Sequence, residues 1–384
     1  MTISVAVVEP VGGHGGMNPY DAGLCGGLLQ AGAHVSLYTC DETVDPRIPG
    51  LRFCAVYKGI YGRRAAWLRG LRYLAGSLAM LSSAIVRGET IVHLHVFQGV
   101  APELAQILLA KLCLRRLVIT VHDVESLAQP AAFGPGAIGR VYGLAGRLIV
   151  HNETCKRELI ERLAIDRSKI AVVPHGNYLE TVRDVPSQQV AKTALGIESA
   201  KKVILFFGQI KEAKGLDLLI EALPEVVRDV PEAMLLVAGR PWKDDFARYS
   251  LWMDKMGVRS RCQLHIGYIP DDQVPLYYSA ADVVVLPYRR IYQSGVILQA
   301  MSYGKAVVAS DLAGMREVVV DGENGYLFEQ GSKDALAGVL IKALREDRER
   351  EEVAVRGLEH VRHHHGWREI GKRTIEVYRT LMAR

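Results

Sequence analysis

Apolar runs rich in β-branched residues alternate with amphipathic stretches of helical length through most of the chain. In the first half the runs are ISVAVVE, HVSLYT, TIVHLHVF, LVITVHD, RLIVHN and IAVVPHG; in the second they are VILFFG, AMLLVAG, CQLHIG, DVVVLPY, AVVAS and GYLF. Runs that are apolar at nearly every position belong to strands covered on both faces, as in a parallel sheet flanked by helices. The pattern therefore predicts an α/β protein made of two doubly wound, Rossmann-like domains. Between them NYLETVRDVPSQQVAKTALGIESAKK is polar, contains Pro186 and offers no long apolar run, which puts the boundary near Val185. The expected division is 1–184, 185–366, and a closing helix over 367–384, where Ile370, Ile375, Val377, Tyr378 and Leu381 recur among basic residues.

Length agrees with this, because 384 residues exceed the size at which one core usually keeps growing. The opening segment has no basic residues before its apolar run and carries Glu9 within it, so it reads as a buried first strand rather than a signal peptide, and points to the cytoplasm. Six scattered cysteines without a C-x-x-C spacing argue against a disulfide framework and a zinc site; they read as reduced thiols, and no metal is expected.

Charge changes the picture only locally. The net +5 is small and no aromatic-basic readout motif occurs, which leaves nucleic acid a poor partner. Residues 58–87, however, carry Arg63, Arg64, Arg69 and Arg72 with no acid before Glu89. Trp67, Leu71, Leu74, Leu78, Leu81 and Ile85 recur there at three- and four-residue steps, the stripe of an amphipathic helix. Two readings stand: a helix packed on the sheet with a solvated basic edge, or a helix that docks on an anionic membrane surface.

Candidate chemistry gathers at strand ends, where an open parallel sheet presents its ligand crevice. The first strand runs into GGHGGMNPYDAG, so Gly12, Gly13, Gly15 and Gly16 sit beside helix N–H groups that bind anions. The dinucleotide fingerprint is only partly met, since Asn18 falls where its third glycine belongs; Asp41 stands where the ribose-binding acid would be. His95, His122, His151 and His175 lie at or beyond strand ends, and His122 with Asp123 follows LVITV directly. The His363, His364 and His365 run reads as a polar helix start rather than a metal site. In the second half Gly208 and Gln209 leave a strand, and Lys214 and Gly215 precede a helix, a placement suited to a diphosphate. Ser294, Gly295 and Val296 open a later helix whose amides can hold further phosphate oxygens, with Gln299 one turn on.

Taken in order, FFGQIKEAKGLDLLIEA, LLVAGRP, IGYIPDDQVPLYYSAADVVVLPY and SGVILQAMSYGKAVVASDLAGMREVVVDGENGYLF resemble the retaining nucleotide-sugar glycosyltransferases with the B-type fold, the glycosyltransferase family 4-like and group 1 proteins. GGHGG with His14, VHLHVF with His95, TVHD with His122 and Asp123, and VVPHGN correspond more loosely to that family's acceptor-side elements. The resemblance implies two Rossmann-like domains facing each other across a cleft that holds a nucleotide-sugar donor, UDP- or GDP-linked, with no cofactor. It implies that Lys214 neutralises the diphosphate, that Gly208, Gln209, Gly239 and the amides of Ser294, Gly295 and Val296 line the donor site, and that Ile266 and Tyr268 border the base. Gly15 and Gly16 would approach the donor phosphates or the acceptor, and His122 the transferred sugar.

Two departures fall within the donor site. Where the family commonly has arginine this chain has Gln209, with Arg289 or Arg290 as candidate replacements. Where the family tends to carry two glutamates eight residues apart, Ile291 and Gln299 stand; Gln299 can still bond a ribose hydroxyl, but Ile291 has no carboxylate. The implied activity is transfer of a hexosyl unit to a saccharide or lipid-linked saccharide, with surface polysaccharide or glycolipid assembly as its setting. Two alternatives stay open: an NAD-dependent oxidoreductase using GGHGG and Asp41, and a non-catalytic partner subunit that keeps the fold.

Overall fold

The computed structural model describes residues 3–12, 16–97, 100–113, 116–123, 134–242 and 245–383. The chain forms two compact units, Met1–Gly176 with His365–Arg384, and Asn177–His364.

In the first unit the strands are β1 (Ser4–Glu9), β2 (His34–Cys40), β3 (Arg52–Tyr57), β4 (Ile91–Val96), β5 (Leu117–Val121), β6 (Arg147–Val150) and β7 (Ile170–Val172). They form one parallel sheet in the order β3-β2-β1-β4-β5-β6-β7. Helices α1 (Met17–Gln30), α2 (Ala66–Val86), α3 (Ala101–Cys113), α4 (Pro135–Tyr142) and α5 (Glu153–Leu163) alternate with them. β3 is absent from the apolar runs of the sequence. As the sheet's edge strand it is only half-buried over most of its length and begins on exposed Arg52, so its apolar signal is diluted.

The stripe on α2 does not pack on the sheet as a single face. Gly76, Ser77, Met80, Leu81 and Ala84 are buried, and a Cβ on Gly76 would lie 2.6 Å from the Tyr57 ring. Trp67, Leu71, Leu78 and Ile85 point outward and are 70%, 56%, 52% and 53% exposed. Met80 and Leu81 turn inward with small Gly76, Ser77 and Ala84, and these other large apolar residues are left on the outer face.

The second unit holds α6 (Gln188–Ala194), β8 (Lys202–Phe207), α7 (Leu216–Asp229), β9 (Ala233–Gly239), α8 (Ala247–Lys255), β10 (Cys262–Ile266), α9 (Val274–Ala280), β11 (Val283–Leu286), α10 (Gly295–Ser302), β12 (Ala306–Ser310), α11 (Ala313–Arg316), β13 (Tyr326–Phe328), α12 (Lys333–Arg345) and α13 (Asp347–His364). Its parallel sheet runs β10-β9-β8-β11-β12-β13. Alternate residues supply two separate cores: Ile204, Phe206, Val283 and Val285 on one face, Val203, Leu205, Val284 and Val307 on the other.

The second unit begins ahead of Val185, at Asn177, because Asn177 Nδ2 donates to the Val361 carbonyl at 2.9 Å and the Tyr178 amide donates to Ser302 Oγ at 3.1 Å. His363 and His364 end α13 rather than starting a helix; Gly366 then precedes α14 (Trp367–Met382), and His365 Nδ1 bonds the His175 carbonyl at 2.7 Å. α14 belongs to the first unit. It lies against α1, where a Cβ on Gly27 would stand 2.2 Å from the Trp367 carbonyl oxygen, a backbone approach that only glycine permits.

Candidate functional site

Both sheets share one plan. In each, the first strand is flanked by the second on one side and the fourth on the other, so the order reverses between β8 and β11 in the second unit and between β1 and β4 in the first. At such a switch point the connections leave in opposite directions and open a crevice beyond the strand ends.

In the second unit the β8 exit is built from backbone that side chains would obstruct. Gly208 has φ 103° and Gly239 φ 149°, and a Cβ on Gly239 would meet the Gly208 carbonyl oxygen at 1.8 Å. The chain after Gly208 turns through a short 3₁₀ segment, Glu212–Lys214, and Gly215 at φ 66° starts α7. This segment is fastened to the β11 exit: the Arg289 amide donates to the Ala213 carbonyl at 2.8 Å. As a result Lys214 Nζ stands 3.3 Å from the Cβ position of Gly208, Val296 Cγ2 of α10 stands 3.6 Å from it, and Lys214 Nζ lies 5.2 Å from the Tyr288 ring centre. Burial without an opposing carboxylate pushes the Lys214 ammonium down to about 8. Ser294 is the N-cap of α10 with extended backbone and its side chain caps no amide. The Lys214 cation, a glycine turn and a helix N-terminus thus converge on one spot, an arrangement that attracts a phosphate oxygen.

The rest of the second-unit residues are less uniform. The Gln299 amide oxygen accepts the Tyr278 hydroxyl at 3.1 Å, and Ile291 packs on an apolar core. Ile266 and Tyr268, after β10, are 38% and 63% exposed. Gln209 is half-buried at the β8 exit. Arg289 does not replace the missing arginine, because its guanidinium forks onto Asp217 in the first turn of α7 at 2.7 and 2.5 Å. Its charge is already matched there; Arg290 is exposed.

The first unit carries the opposite chemistry at the same place. Glu9, the last residue of β1, is fully buried and accepts the Val11 and Gly12 amides at 2.8 and 2.5 Å. Glu103 of α3 accepts the Phe97 and Val100 amides at 3.2 and 3.1 Å beyond β4. Beside them runs an arc of imidazoles on adjacent strand ends. His95 Nδ1 bonds His122 Nε2 at 2.9 Å, His93 bonds Tyr378 and Thr120, each at 2.7 Å, and His151 Nδ1 bonds the Val173 carbonyl at 3.0 Å. Tyr20 of α1 meets His95, His122, His151 and His175 edge-on at 4.9 to 5.7 Å. His122 also stacks on Phe97 at 4.5 Å. Burial, reinforced by neighbouring imidazoles, holds His93 and His175 at about 3; burial alone holds His151 at about 4, and His95 and His122 lie well below the usual range. All are neutral imidazoles at pH 7.

Comparison with known proteins decides what these crevices belong to. Residues 187–359 match the family described as Glycosyl transferases group 1, and residues 14–180 the one described as Glycosyltransferase Family 4. A D-inositol 3-phosphate glycosyltransferase from Xylanimonas cellulosilytica is 30% identical over 401 residues, spanning 96% of this chain and 92% of that protein. The chain belongs to this glycosyltransferase family. A phosphatidyl-myo-inositol mannosyltransferase from Mycolicibacterium smegmatis is a further relative, 27% identical over 75% of this chain and 71% of that one. Two solved structures share the fold: sucrose-phosphate synthase from Thermosynechococcus elongatus, at TM-score 0.79 and 20% identity over 99% of both chains, and Anabaena HepE in complex with UDP-glucose, at TM-score 0.75 and 16% identity over 100% of both.

Within this glycosyltransferase the dinucleotide reading finds no support. Both Asp41 oxygens accept the Gly59 amide, at 3.1 and 3.0 Å, and the first amides of the glycine-rich turn are taken by Glu9. Gly16, at φ 82°, is the N-cap of α1. Gly13, His14 and Gly15 lie outside the described residues; Asp123 directly follows His122 at the β5 exit. The capping roles of Glu9 and Glu103 escape the sequence reading, although a glutamate at the third position of a helix, as Glu103 is, is a signal of amide capping. Among the described residues no helix is long and apolar enough to cross a membrane.

Proposed function

We propose that this glycosyltransferase moves a hexosyl unit from a nucleoside-diphosphate sugar to a saccharide or lipid-linked saccharide, with retention of configuration and without a metal ion. The observation that carries the reading is Lys214, whose ammonium sits beside the Gly208 turn and the start of α10 at the switch point of the second unit. Gly208, Gln209, Gly239 and the amides of Ser294, Gly295 and Val296 would hold the donor diphosphate, with Gln299 on the ribose and Ile266 and Tyr268 at the base. The donor is UDP- or GDP-linked, and HepE, solved with UDP-glucose, favours UDP.

With Ile291 in place of a carboxylate, no side chain there can act as a nucleophile. The departing β-phosphate oxygen would itself take the acceptor hydroxyl's proton as the new glycosidic bond forms on the same face. Lys214 and the α10 amides would steady the charge that develops on the leaving diphosphate. His122, neutral and held by His95, would contact the transferred sugar, and His95 and Asp123 would lie on the acceptor side.

The relative named for phosphatidyl-myo-inositol suggests a lipid-borne acceptor. The outward Trp67, Leu71, Leu78 and Ile85 of α2, flanked by Arg63 and Arg64, would then rest on an anionic membrane surface, at its cytosolic side, where six free thiols are at home.

Isothermal titration with UDP, GDP, ADP and NADH, with and without magnesium, tests the reading. Micromolar, magnesium-independent binding of one nucleoside diphosphate, lost in Lys214→Ala, is expected. Diphosphate binding without turnover across a donor panel would favour the partner-subunit alternative, and binding of NADH alone would overturn both.

A further inference from the structure

Tyr278 of α9 lies wholly inside the second unit and faces the end of α10. Its ring stacks on Tyr303, with centroids 4.7 Å apart and 4° between the planes, and lies 5.0 Å from the ring of Phe207, the last residue of β8. Tyr303 is tied in turn to Gln299, its amide donating to the Gln299 carbonyl at 3.0 Å. The Tyr278 hydroxyl is thereby held at the flank of α10, where it donates to Gln299 Oε1 at 3.1 Å. That bond runs one way. Burial holds the hydroxyl well above its ordinary range, so the proton stays on, and among the described residues the Gln299 oxygen is the one acceptor it meets. The oxygen end of the Gln299 amide is thus turned to Tyr278. Its Nε2 end, which makes no hydrogen bond among the described residues, is left over. Gln299 is only half-buried and follows Val296 by one helical turn; Val296 Cγ2 stands with Lys214 Nζ at the Gly208 turn, so both residues share one side of α10.

We propose that Tyr278 is a positioning residue for the nucleotide: by holding the Gln299 oxygen it commits this place to N–H donors, so that the ribose is recognised through an oxygen that accepts a hydrogen bond rather than through a hydroxyl that gives one. The inference rests on the reading that puts Gln299 on the ribose. Tyr278 touches no part of the nucleotide; its effect passes through Gln299.

A carboxylate at position 299 would do the reverse, accepting a hydroxyl proton and repelling a ribose substituent that has none to give. An amide free to turn would do either. The polarity of the contact, and with it the choice among sugar-modified nucleotides, is therefore set by a tyrosine buried out of their reach.

Calorimetric titration of the full-length protein with UDP, its 2′- and 3′-deoxy forms and the matching fluoro-deoxy forms reads that polarity. Wild type is expected to bind the form lacking the contacted hydroxyl about fivefold more weakly than UDP, the worth of one neutral hydrogen bond. Fluorine at that carbon accepts weakly from an N–H but faces a carboxylate oxygen unfavourably. The affinity ratio of fluoro to deoxy form, compared between proteins so that ring pucker cancels, should fall about fivefold in Gln299→Glu and about twofold in Tyr278→Phe, which keeps the ring stack and frees the amide to turn. Tyr278→Phe should also weaken UDP about threefold, and this loss should vanish in the Gln299→Ala background; a tyrosine that merely supports the fold would add its loss in both. A ratio that Gln299→Glu and Tyr278→Phe leave unchanged, or additive losses in the double variant, overturns the proposal. Should Tyr278→Phe not fold, the fall in Gln299→Glu decides alone. UDP binding that ignores both deoxy changes yet is lost in Lys214→Ala would take Gln299 off the ribose and overturn the proposal, leaving the diphosphate reading standing. No binding of any nucleoside diphosphate would sink both.

Discussion

The two units place opposite charges at equivalent points of the same topology. In the second, the switch between β8 and β11 holds Lys214 and the start of α10, with no carboxylate opposing the ammonium among the described residues. In the first, the switch between β1 and β4 holds Glu9 and Glu103, each consuming two of the amides that a phosphate-binding crevice would offer. One fold thus leaves a lysine and a helix start at one switch point, the arrangement we propose for the donor diphosphate, and at the other sets its own acids on the amides. Fold alone does not assign the ligand; the polar groups at the strand ends do.

The largest separation between the units is expected in acid. Buried His93, His95, His122, His151 and His175 are held far below their ordinary 6.5, so their contribution to stability is present above that pH and is lost progressively as pH falls from there toward the folded values, about 3 for His93 and His175 and about 4 for His151. At pH 5 each imidazole that stays neutral costs about 2 kcal/mol relative to the unfolded chain, and the set together consumes much of the roughly 5–15 kcal/mol of a typical domain. Glu9, Asp21 and Glu89 have the opposite sign, their raised values giving stability at low pH that is lost as pH rises, for Glu9 between about 4.5 and 7, but they are three groups against five. Calorimetry at pH 7.5 and pH 5 should show the first unit melting well before the second in acid. Transitions that move down together would break the contrast.

Lys214→Ala should come next, lowering turnover by about 10²-fold, the usual loss when one preorganised electrostatic donor is removed. Because burial holds the ammonium at about 8, nucleoside-diphosphate affinity should fall as pH rises through 8, and this dependence should be absent in the variant. A pH-independent Kd in wild type would mean that another cation carries the diphosphate.

Much of this is legible in the sequence. Strands covered on both faces write themselves as apolar runs, and Lys214, Ser294 and Gln299 fall where their spacing puts them. β3 is not legible, because an edge strand with an exposed Arg52 lacks the run. The orientation of α2 also escapes, since apolar periodicity does not say which large residues, here Met80 and Leu81, turn inward and which, here Trp67, Leu71, Leu78 and Ile85, turn out. Nor can one chain position reveal its partner: only the fold sets Arg289 on Asp217.

The outward face of α2 extends the contrast to surfaces. Sedimentation with vesicles containing anionic lipid at low salt should carry the protein down, and the double change Arg63→Glu with Arg64→Glu should weaken association by at least about thirtyfold, given about 1 kcal/mol per basic residue near such a surface. Equal binding to neutral vesicles would assign the interaction to Trp67 and its apolar neighbours alone.

The smallest expected effect is the most pointed. Gln209 stands at the β8 exit where the resemblance expects arginine, and Arg289, the neighbouring candidate, is already forked onto Asp217. Restoring the charge with Gln209→Arg places a second cation near Lys214. In the free protein the two repel, which lowers the Lys214 pKa further; in the complex both meet the diphosphate. The gain is therefore partial, about threefold in nucleoside-diphosphate affinity at low salt and less as salt rises. A gain of a hundredfold would mean that the second unit lacks a charge it was built to use. No gain, with Lys214→Ala still damaging, would mean that one buried ammonium and the helix amides already complete the anion site.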